Sequence, residues 1–175
     1  MGSLRDFIDN DRRKEYRDFA NRYDEGAPHE GISDEEVINR YREVAPNLSE
    51  EDYQLSARDT FTRMSPEERV EFGRELRDQA AQRGLDFPGR SAEGERFDDP
   101  NLLARVTARA NREHPDLLES LLKSGGAGFV GGAMGDGVTG GEGASGGEGG
   151  MTSNPAAKAA LTGIVATAVK RAMDG

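Results

Sequence analysis

The chain has 175 residues, 34% of them hydrophobic and 32% charged, with a net charge of −10 and no cysteine. That is room for one ordinary domain with additions. The acidity sets most of the surface against nucleic acid, and the missing thiols exclude disulfides, thiolate zinc sites and cysteine nucleophiles. Charge is uneven: residues 1–123 carry −9, residues 124–153 carry −3, and residues 154–175 carry +2. The basic run Arg12–Arg13–Lys14 with Arg17 is interleaved with Asp9, Asp11, Glu15 and Asp18, the pattern of a solvated helix face. Met1–Asn10 has acids where a signal peptide needs an apolar run, so export by that route is not expected. No stretch approaches the ~18 uncharged apolar residues that span a bilayer. A cytoplasmic protein is expected.

The first helix is predicted from about Leu4 to Tyr23. Leu4, Phe7 and Ile8, then Tyr16, Phe19, Ala20 and Tyr23, recur at three- and four-residue spacing as one apolar stripe, interrupted near Arg12. Gly26, Pro28 and Gly31 punctuate the loop that follows.

Ser33, Ser49 and Ser65 then stand sixteen residues apart, each preceded by an apolar residue and followed at +3 by an acid: Glu36, Asp52 and Glu68. A serine there accepts a hydrogen bond from an otherwise orphaned N–H, and an acid three residues on can reach back to the cap. Acids in the first turn also oppose the positive end of the helix dipole. Pro66 falls at the first helical position, where its missing N–H costs nothing. Three helices are therefore predicted, ending near Ala45, Met64 and Arg83. A sixteen-residue period is shorter than helical solenoid repeats, so one small bundle is favoured over an array.

Residues 84–99 read as a polar loop. Asp99 then caps a helix with Pro100 at its first position, and Leu102, Leu103, Val106 and Ala110 form its stripe. Pro115 breaks that run, and a short helix follows with Leu117, Leu118, Leu121 and Leu122. From Ser124 to Ser153 fourteen glycines crowd the sequence, a composition that cannot bury enough surface to offset its ordering entropy. This stretch reads as a flexible tether. Asn154 and Pro155 open a last helix running to about Met173, with eleven uncharged residues between Lys158 and Lys170.

That last helix is apolar nearly all round, which is normal only for a buried one. Ala159, Gly163 and Thr167 form a row of small residues that lets another backbone approach. Leu161, Ile164, Val165, Ala168 and Val169 supply apolar surface. These eight residues are the candidate partner-binding set. Three destinations are open to them: the head of the same chain, a protein partner or other copies of the chain, and, as a minor alternative, a membrane surface.

Other motifs fall to simpler readings. Two GxGxxG matches, at Gly126 and Gly135, lack the flanking strand and helix that a dinucleotide site needs. His29 and His114 assemble no catalytic or metal-binding set. Glu93, Glu95, Asp98 and Asp99 lack the spacing of a calcium loop, and Asp99 is better explained as a cap. No catalytic residue, cofactor or metal is expected.

The stretches YRDFANRYDEGAPHEGISDEEVINRYREVAP and LSEEDYQLSARDTFTRMSPEERVEFGRELRDQAAQRG, then poly-glycine and NPAAKAALTGIVATAVKRAM, resemble a set of small bacterial proteins with no established activity. The resemblance covers most of the chain and implies a bacterial source, but carries over no functional residue. The sequence thus predicts an all-α protein: a small multi-helix bundle (1–123), a disordered Gly-rich linker (124–153) and an isolated C-terminal helix (154–175). A non-enzymatic assembly or adaptor role through that helix is expected, with oligomerisation or partner docking as its mechanism. The alternatives are a membrane-surface adaptor and a stress-related hydrophilic protein.

Overall fold

A computed structural model describes residues 4, 8, 10–25, 31–85, 97–123 and 154–174, and every regular element among them is helical. In chain order these are α1 (Asn10–Glu25), α2 (Asp34–Val44), a 3₁₀ turn (Ala45–Asn47), α3 (Glu50–Arg63), α4 (Pro66–Gln82), α5 (Pro100–Glu113), α6 (Pro115–Lys123) and α7 (Pro155–Asp174). The glycine-rich stretch 124–153, both GxGxxG matches, His29, Glu93 and Glu95 lie outside the described residues.

The serine caps form as their spacing predicts. Ser33, Ser49 and Ser65 accept hydrogen bonds from the backbone N–H of Glu36, Asp52 and Glu68. Only Ser65 closes a reciprocal capping box, its N–H donating to Glu68 Oε2 at 2.8 Å. The other two acids are engaged elsewhere: Glu36 accepts from Arg22 of α1, and Asp52 accepts from the Ser49 hydroxyl at 2.7 Å. Pro46 turns the end of α2 into the 3₁₀ turn, since a proline cannot donate into a continuing helix. Asp99 caps α5 by accepting from Asn101 N–H at 2.9 Å, and that bond holds its carboxyl below the ordinary aspartate range. His114 is the residue at which α5 stops before Pro115.

The core is continuous through all seven helices. Tyr16 and Phe19 from α1, Val37 from α2, Tyr53 and Phe61 from α3, Phe72 and Leu76 from α4, Leu103 from α5, and Leu118 and Leu121 from α6 are its largest fully buried side chains outside α7. Tyr53 donates to, or accepts from, Tyr41 at 2.8 Å, and Tyr41 donates to Asn111 Oδ1 at 2.6 Å. This polar thread joins α2, α3 and α5 inside the core, where an unpaired hydroxyl is costly. Burial pushes both tyrosine hydroxyls well above the ordinary phenol range. From the polar loop, Phe97 is buried against α4 at Gly73, where a side-chain Cβ would overlap the Phe97 ring. Its burial was not foreseen from sequence.

The C-terminal helix does not stand apart. It packs against α1, α2, α3, α4 and α6 and occupies the middle of the bundle. From Ala156 to Val169 every one of its residues is buried. Of the three destinations open on sequence, the helix takes the intramolecular one here. The physical reason lies in its composition: a helix apolar on every side gains most where every side is covered.

Candidate functional site

The seat that α7 fills is the best-defined feature of the molecule. Ala159, Leu161, Gly163, Ile164, Val165, Thr167, Ala168 and Val169, the residues expected to meet a partner, are all covered by the chain's own helices. They therefore present no free surface in this arrangement, which is the intramolecular one of the three destinations open on sequence.

The tightest approach is on α3. A Cβ built on Gly163 would overlap Thr60 Cγ2 and lie 2.6 Å from the Tyr23 hydroxyl. The mid-helix glycine, which costs roughly 1 kcal/mol against alanine in an isolated helix, is there because two neighbours occupy the space of a side chain. Thr60 is in turn held by its hydroxyl donating to Ser56 O at 2.8 Å. Ser56 and Ala168 line one small cavity while Thr60 meets Gly163, so α3 and α7 run antiparallel. Ser56, Ala57 and Thr60 form a row of small residues on α3 that matches the small row on α7. That row was legible in the sequence and was not singled out.

Charged groups fix both ends of α7. Near its start, Lys158 is only 8% exposed, yet its ammonium lies 2.9 Å from Asp34 Oδ1 at the first position of α2. A cation this buried is tolerable only when paired. Near its end, Lys170 pairs with Asp24 of α1, and Arg171 lies 2.7 Å from Asp59 of α3. Asn154 caps the helix, its Oδ1 accepting from Ala156 and Ala157 N–H at 2.8 and 3.1 Å. Its side chain lies beside Glu75 of α4. Burial raises the Glu75 pKa above the ordinary glutamate value, the Asn154 amide opposes this, and Glu71 and Asp78 add to it.

The sign for stability follows. A carboxyl whose folded pKa is raised contributes stability that is full below its unfolded value and lost as pH climbs through the folded value. Glu75→Gln removes that loss while keeping the size of the side chain. Its denaturation midpoint is expected to fall less than the parent's as pH rises from the ordinary glutamate value upward, measured by chemical unfolding at a pH series.

Among the described residues no cluster of His, Asp and Glu could hold a metal ion. The cavity beside Ser56 is about 170 Å³, with Leu48, Asp52 and Arg171 on its walls. The Arg171 guanidinium is engaged by Asp59, and Asp52 accepts from the Ser49 hydroxyl. Among the described residues no helix is long and apolar enough to cross a membrane. No family model, curated protein or solved structure matches this chain.

Proposed function

We propose that this chain is a non-enzymatic assembly or adaptor protein of the bacterial cytoplasm, and that α7 is its docking element. One observation carries the reading. α7 fills a shaped seat through non-covalent contacts, with its own N-cap and cationic ends, yet 30 residues containing fourteen glycines join it in sequence to α6. A helix needed only as core could be joined by a short connection. A long connection keeps the helix at high effective concentration near its seat while letting it leave.

The seat also narrows what α7 can dock with. Its apolar residues are covered at home, so any partner must offer equivalent cover or displace the head. A membrane surface covers only one side of a helix, and most residues between Lys158 and Lys170 are alanine, threonine or glycine, which bury little. Docking on protein is the better-supported branch.

The test is uptake of a labelled peptide with the sequence of residues 154–175 by the full chain. Saturable uptake is expected, competed by unlabelled peptide and lost when the peptide carries Gly163→Leu. No uptake under any condition short of global unfolding makes α7 a permanent part of the core and removes the docking role.

A further inference from the structure

We propose that the cavity between α3 and the end of α7 is a binding site for a small neutral molecule with an apolar body and one hydroxyl, an alcohol or a phenol in chemical class. The site stands on the cavity alone, and its effect on α7 rests on the docking reading above.

The two helices meet unevenly. At Gly163 they close until no side chain fits. Further along, Ser56 of α3 and Ala168 and Ala172 of α7 border a space of about 170 Å³. The cause is side-chain size: serine and alanine are too short to fill what Leu4 and Leu48 leave between the helices. Protein interiors hold few voids larger than a water molecule. An apolar cavity of about 150 Å³ takes a molecule the size of benzene.

The walls define the occupant. Leu4, Leu48, Ala168 and Ala172 are apolar. Ser56 is fully buried, and its hydroxyl has no hydrogen-bond partner among the described residues. Such a hydroxyl carries a desolvation cost that a bound hydroxyl would offset. The two charged walls, Asp52 and Arg171, are exposed and mark the mouth. Asp52 is engaged by Ser49 and Arg171 by Asp59, so neither favours an ionic ligand. Apolar walls with a few placed polar groups are what bind and orient a small molecule.

One wall of the site, formed by Ala168, Arg171 and Ala172, belongs to α7 and is present only while that helix is seated. A ligand there binds the docked chain and not the open one, so it shifts α7 toward its seat.

Phenol and toluene, the same ring with and without a hydroxyl-bearing end, test the site when titrated into the isotope-labelled full chain and followed by nuclear magnetic resonance. Saturable phenol shifts are expected, centred on the amides of Leu48, Asp52, Ser56 and residues 168–172, with toluene binding more weakly. Ser56→Ala is expected to weaken phenol about two- to tenfold, the worth of one hydrogen bond, and to leave toluene unchanged. Ala172→Leu, at a half-buried position, is expected to fill the space and abolish both. Shifts that do not saturate or that centre elsewhere overturn the site. So does toluene binding as tightly as phenol, or phenol binding that survives either substitution unaltered.

Hydrogen exchange of residues 160–168 in saturating phenol separates the two claims. Slower exchange is expected. Phenol bound in the cavity with α7 exchange unchanged overturns the coupling. Amides of α7 that open only with global unfolding, with or without phenol, overturn the docking reading and leave the site standing.

Discussion

A chain ending at Lys123 is expected to stay helical but to unfold far more easily than the full chain. Residues 1–123 look self-sufficient in sequence, with six helix signals and a full set of aromatics. In the fold they surround a space that α7 fills with a continuous run of buried residues from Ala156 to Val169. Removing one buried leucine costs about 2–5 kcal/mol, and here Leu161, Ile164, Val165 and Val169 would all be lost. The loss is a large share of the ~5–15 kcal/mol by which most domains are stable. Asp34 would lose Lys158, while Asp24 would be left with Arg63 and Asp59 with Arg58. The measurement is thermal and urea unfolding followed by near- and far-ultraviolet circular dichroism. A much lower midpoint with near-ultraviolet signal still present before it is the expected outcome, and an unchanged midpoint would show that α7 is dispensable to the head. Light scattering on such a truncated chain would report on a damaged core rather than on assembly.

Replacing Gly163 has the next largest expected effect. In an isolated helix Gly→Ala stabilises by roughly 1 kcal/mol. Here the added methyl meets Thr60 and Tyr23, both on helices fixed by the rest of the core. Overpacking of this kind costs about 1–3 kcal/mol, so Gly163→Ala is expected to be net destabilising. Gly163→Leu is expected to cost at least 3 kcal/mol, because no rotamer avoids α3. Combining Gly163→Ala with Thr60→Ala should recover part of the loss, since the second change removes the Cγ2 that the new methyl meets. Urea unfolding of the three variants measures this. A Gly163→Ala chain more stable than its parent would mean that α7 does not sit against α3 as described.

What the sequence made legible was local. The serine caps at 33, 49 and 65, the Asp99 and Asn154 caps, and the breaks at Pro46 and Pro115 depend on neighbours within four residues, and they stand where the spacing put them. Apolar periodicity likewise picked out the buried faces of α1 to α6, because a stripe at helical spacing has to face a core. The eight candidate residues of α7 were rightly seen as needing cover. Where the cover comes from is not local information. It depends on how five other helices are placed, and no residue of α7 announces that Asp34, 124 positions earlier, will meet Lys158. Phe97 was missed for the same reason: its loop reads as polar, and only the gap at Gly73 gives its ring a place. A search for matching small rows, Ser56–Ala57–Thr60 against Ala159–Gly163–Thr167, would have come closest to the seat.

The central claim is that α7 is core when docked yet opens as a unit. Native-state hydrogen exchange on the full chain tests it most directly, by comparing the amides of residues 160–168 with those of α3 and α5. The account predicts one shared opening free energy for the α7 amides, well above zero and below that of α3 and α5. Amides of α7 that exchange only through global unfolding, in step with α3 and α5, would contradict the docking role. Amides that exchange as fast as a free peptide would contradict the seat itself.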